Sequence, residues 1–125
     1  MTPAEQAVLD TIKALYVAAA ADDEAVLTQI FSPDFYAFDG GRRFVGMQLA
    51  VLVKSFHDQG KRFVWNVTEP RVQVEGSLAW ITFVNRGAVG DAAGMTPAAW
   101  LESAVLALEA DRWRLRFLHS SRMEE

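Results

Sequence analysis

The chain has 125 residues, a size that one domain fills, and 51% of them are hydrophobic, enough for a core without a disulfide or metal staple. It contains no cysteine, which excludes disulfides, thiol nucleophiles and thiolate metal sites together. Lys plus Arg is 12 against 16 for Asp plus Glu, a formal charge of −4; that balance is poor for holding nucleic-acid phosphates, and no apolar run reaches membrane-spanning length.

Thr2, Pro3 and Glu5 carry the spacing of a capping box with proline in the first turn, so a helix is expected to start there. Val8, Ile12, Leu15, Tyr16 and Ala19 form its apolar face. Asp22 or Asp23 caps a second helix bearing Val26, Leu27, Ile30 and Phe31, which Ser32-Pro33 stops. Phe35 to Phe38 reads as a short strand turned by Asp39-Gly40-Gly41 toward Arg43 to Val45. A third helix spans about Met47 to His57, with Leu49, Leu52, Val53 and Phe56 on one face and His57 exposed, and Gly60 ends it. The opening MTPAEQ lacks the basic and apolar regions of a signal peptide, and a cytoplasmic protein is expected.

Arg62 to Glu75 reads as one long strand bent at Pro70, and Gly76-Ser77 returns it through Leu78 to Arg86. Gly87 to Pro97, rich in Gly and Ala, reads as a mobile loop gating a pocket. Ala98 to Glu109 and Arg112 to Arg122 are the last strands. The final one alternates: Trp113, Leu115, Phe117, His119 and Ser121 share one face. A face dry at one end and polar at the other fits a sheet that covers a core and then a pocket; the alternative is a strand end that has reached solvent. Several strands are apolar on both faces, which leads to an expected homodimer through one of them. Helices first and strands after give one α+β domain, residues 1–125.

The run IKALYVAAAADDEAVLTQIFSPDFYAFDGG, the segment VQVEGSLAWITF and the ending WRLRFLHSS, in this order, resemble the SnoaL-like and ketosteroid-isomerase-like branch of the nuclear transport factor 2-like superfamily. The resemblance implies a cone-shaped curved antiparallel β-sheet wrapped around N-terminal helices, with a pocket at its open end and dimers formed through the outer face of the sheet. It also implies an apolar pocket for a small organic molecule. An acid–base enzyme (isomerase, cyclase or dehydratase type) acting on a carbonyl-containing substrate fits that pocket, and so does a non-catalytic ligand-binding or dimerisation module. Fold alone does not separate them.

By the same resemblance, Tyr16 matches an oxyanion donor and Asp39 a general base. Tyr16 also reads as a core aromatic, and Asp39 as an ordinary turn residue before Gly-Gly. The second acidic donor of the isomerases is absent, because Ala104 stands at its place; Glu102, two residues earlier on the same face, is the available carboxyl, or else the partner of an arginine on the last strand. His119 is the third catalytic candidate, as an acid–base group or donor, or a buried histidine satisfied by Ser121 or Tyr16. Trp65, Trp100, Phe117 and Ser121 complete the expected pocket. With only His57 and His119 on separate elements, no metal site is expected, and no cofactor.

Overall fold

A computed structural model describes residues 1–124. Helix α1 spans Pro3–Ala20, α2 Glu24–Ile30 and α3 Gln48–Asp58; the strands are β1 Phe31–Asp39, β2 Arg42–Val45, β3 Arg62–Val64, β4 Val67–Glu75, β5 Leu78–Asp91, β6 Gly94–Glu109 and β7 Arg112–Arg122. The capping box at Thr2 and Glu5 is present, with each side chain accepting from the other's backbone N–H. Asp23 caps α2, accepting from Val26 N–H at 3.2 Å. Phe31 lies outside α2 and opens β1, where it stacks on Phe35 with ring centres 4.1 Å apart.

The strands form one sheet in the order β2-β1-β7-β6-β5-β3, with β4 also pairing with β5. Every pair is antiparallel but one: β1 runs parallel to β7. The expected all-antiparallel sheet is therefore a mixed one, because no hairpin joins β1 to β7 and fixes their relative direction. One face of this curved, open sheet packs on the helices. Val8, Ile12 and Leu15 of α1 meet Ile81, Leu106 and Leu115 of the sheet, all buried, and burial of that kind contributes about 1.5–3 kcal/mol per side chain. Arg114 ties α2 to the sheet. Its guanidinium donates to the carbonyls of Thr28, Gln29 and Phe31 at the C-terminal end of that helix, where unpaired carbonyls favour a cation.

Three expectations need correction. The segment Gly87 to Pro97 is no loop: β5 and β6 stay paired to Asp91 and Gly94, so the stretch is the far end of a hairpin. Its glycines permit close approach instead, since a Cβ at Gly87 would lie 1.6 Å from the Val64 carbonyl oxygen of β3. The strand expected from Arg62 to Glu75 is two, broken at Trp65 and Asn66, and its later irregularity falls at Glu69 (φ 51°) and Pro70. His57 is not exposed; its Nδ1 lies 2.9 Å from Asp22 Oδ2 and its side chain keeps only 11% of its accessible surface.

Candidate functional site

A cavity of about 330 Å³ opens between the inner face of the sheet and α3. Its dry part is made by Leu15, Leu27, Phe31, Phe35 and Leu118, and α3 supplies the opposite wall with Leu49, Leu52, Val53 and Phe56. That apolar helical face was legible in the sequence, and no residue of α3 is fully buried. The helix therefore owes its amphipathic pattern to the cavity it covers.

The sheet face lining the cavity is ordered in rows by strand register. Ala104 pairs with Leu118, and Leu118 with Ala37, giving a dry row. One step outward, Glu102 pairs with Ser120, and Ser120 with Asp39. One step further, Trp100 pairs with Arg122, while Arg42 stands opposite Asp39 on the other side of β1. Tyr16 reaches the middle row from α1, where its ring packs against Trp65 (5.3 Å between centres) and Phe83 (6.2 Å).

Tyr16 O–H donates to Glu102 Oε1. Asn85 Nδ2 donates to the same oxygen at 3.0 Å, and Asn85 Oδ1 has no partner among the described residues. Burial raises the Glu102 carboxyl above its ordinary range; hydrogen bonds from Tyr16, Ser120 and Asn85 offset part of this, and the nearby Asp39 adds to it. Asp39 is also raised by burial, with a smaller opposing effect from His119. Burial, and then the charge of Glu102, push the Tyr16 phenol well above its usual range, so it remains a donor. The arrangement holds a protonated phenol and two carboxyls of raised pKa around one apolar space. Such a set can take a proton from carbon with one carboxylate while hydrogen bonds meet the charge that develops on oxygen.

Of the expected site residues, Tyr16, Asp39, Trp65, Trp100 and Glu102 line this cavity. His119, Phe117 and Ser121 do not. Leu106 pairs with Leu115 but Val105 pairs with Phe117, so Arg116 is an extra residue in β7. This bulge exchanges the faces of the strand beyond it. Trp113 and Leu115 point inward before it, Leu118 and Ser120 after it, and Phe117, His119 and Ser121 turn to the outer face. There His119 meets the rings of Phe38 (5.7 Å) and Phe117 (6.4 Å), and with Ser121 borders a shallow outer depression.

Sequence reasoning missed Asn85, Ser120, Arg42 and Arg122. Asn85 alone left a signal: Ala79, Ile81 and Phe83 set a buried alternation on β5, and the next position on that face is an amide.

The model of the SnoaL-like domain family matches residues 8–124 of the chain. No curated protein matches the sequence. Among solved structures, the chain is similar to the CaMKII hub of S. rosetta, at 22% identity over 98% of both chains with a TM-score of 0.79. It is similar to a ketosteroid isomerase-like protein from Erwinia carotovora atroseptica, at 20% identity over 100% of both chains with a TM-score of 0.79. An NTF2-like protein from Cytophaga hutchinsonii shares 11% identity, covering 98% of this chain and 100% of that one, with a TM-score of 0.81. At these identities the likeness establishes the fold.

Proposed function

The chain belongs to the family of SnoaL-like domains, and from that premise we propose that it is an acid–base enzyme of isomerase, cyclase or dehydratase type, acting on a carbonyl-containing organic molecule. The observation that carries this reading is the meeting of Tyr16, Asp39 and Glu102 at one largely apolar cavity. Asp39, free of any ion pair among the described residues, is the base that removes a proton beside the carbonyl. When substrate enters, Tyr16 turns its one O–H from Glu102 Oε1 to the substrate oxygen, and the protonated form of Glu102 donates to the same oxygen as it becomes enolate-like, so Glu102 fills the role left open by Ala104. The dry wall around them strengthens those hydrogen bonds by excluding water. His119, on the outer face, is not among the residues that line the cavity.

The test is deuterium incorporation next to the carbonyl in a panel of apolar ketones, followed by NMR in deuterated buffer. The wild-type protein should accelerate exchange, and Asp39→Asn should lose about 10²–10⁴-fold of that rate. No exchange above buffer with any ketone leaves the non-catalytic binding module as the reading, and an Asp39→Asn protein as active as the wild type removes Asp39 as the base.

We also propose a homodimer in the cytoplasm, formed through the outer sheet face. Leu78 and Trp80 (each 45% exposed), Leu101 (51%) and Val105 (37%) stand on β5 and β6, and Tyr36 (42%) on β1. Apolar exposure gathered in this way is unusual for a monomer.

A further inference from the structure

We propose that Arg42 and Arg122 form an anion-recognising rim to the cavity, so that its ligand is an organic acid: an apolar molecule bearing a carboxylate or phosphate at the end away from its carbonyl. The inference rests on the cavity reading above and narrows it to a substrate class. Both arginines line the cavity, in a chain that is acidic overall. Among the described residues neither belongs to an ion pair, although Asp39 is the register partner of Arg42. Each guanidinium instead lies over an aromatic ring of the cavity wall, Arg42 over Phe44 at 5.1 Å and Arg122 over Trp100 at 5.2 Å. A guanidinium held over a ring by a cation–π contact is steadied without spending its N–H groups on a carboxylate, which leaves them for the two-point hydrogen bonding that oxyacid anions accept.

The register sets the order of these positions along the sheet. Trp100 and Arg122 form the row directly outside Glu102 and Ser120. A ligand whose carbonyl meets Tyr16 and Glu102 therefore places its other end beside Arg122, with Arg42 across the Asp39 turn. The inner wall of Leu15, Leu27 and Phe35 takes the apolar body.

The experiment pairs two fluorescent probes of similar ring system, anionic 8-anilinonaphthalene-1-sulfonate and neutral N-phenyl-1-naphthylamine, titrated into the wild-type protein, Arg42→Gln and Arg122→Gln. Both positions are exposed, so the variants should keep their fold, which circular dichroism checks. Each variant should weaken the sulfonate probe about tenfold and leave the neutral probe unchanged. Octanoate or octyl phosphate should displace the sulfonate probe while octanamide does not, and the better displacer distinguishes a carboxylate from a phosphate ligand. Equal weakening of both probes, no weakening of either, or displacement by octanamide as well as the anions overturns the rim. If the wild-type protein binds neither probe, the cavity reading fails as well, whereas a failed rim leaves neutral-probe binding and ketone exchange intact.

Discussion

Removing the Tyr16 hydroxyl isolates its bond to Glu102. Tyr16→Phe keeps the ring and its packing against Trp65 and Phe83, and leaves Glu102 the donor at Asn85. The cost depends on the charge of Glu102. A hydrogen bond to an ionised group contributes about 1.5–3 kcal/mol and a neutral one about 0.5–1.5 kcal/mol. A domain of 125 residues has an unfolding entropy of about 0.26 kcal/mol/K, so these costs become falls in Tm of about 6–11 °C and about 2–6 °C. The sign with pH follows from burial. A carboxyl whose folded pKa is raised binds its proton more readily in the folded state, so it favours folding at low pH and loses that benefit as pH rises through the raised value. Once Glu102 is ionised, Tyr16 offsets part of the loss. The Tm gap between wild type and Tyr16→Phe should therefore widen from about pH 4 to about pH 9. In a Glu102→Gln background, where nothing ionises at that position, the gap should be small and flat. Thermal unfolding by circular dichroism across that range reads both, and a gap in the native background that does not change with pH would refute the argument.

Trp80→Glu on the outer face should convert a dimer to a monomer by sedimentation at micromolar concentration, and a wild-type monomer there would end the dimer proposal. Gly87→Ala should cost about 1–3 kcal/mol, because the new Cβ meets the Val64 carbonyl. The same variant should weaken binding of the neutral probe as β3 and the adjoining Trp65 shift; a Tm within error of wild type would contradict that contact.

The helices were legible because their signals are local: a capping box at Thr2 and a four-residue apolar recurrence on α1 and α3 need nothing from the rest of the chain. Tyr16, Asp39, Trp100 and Glu102 line the cavity from elements whose type was legible in the sequence, whereas Trp65 lines it from the break between β3 and β4. The far half of β7 was misread for the opposite reason. Strict alternation from Trp113 to Ser121 looks continuous in the sequence, and only pairing with β6 reveals Arg116 as an extra residue. A Gly- and Ala-rich composition likewise suggested a loop at residues 87–97, where the same small residues let β3 approach β5. His57 could not be placed from its helix alone, since its partner Asp22 lies 35 residues earlier on another element.

The extra residue at Arg116 divides β7 into two independent tenants. Trp113 and Leu115, before it, belong to the hydrophobic core. Ser120 and Arg122, beyond it, serve the cavity. Substitutions at 120 and 122 can therefore alter what the cavity accepts while the core half stays untouched. Length is a different kind of change: loss of the extra residue at 116 would restore a regular ladder, with Leu118 and Ser120 still on the inner face and Phe117, His119 and Ser121 still on the outer one. The bulge thus holds one residue of spare length, and the cavity end of β7 keeps its inward set with or without it.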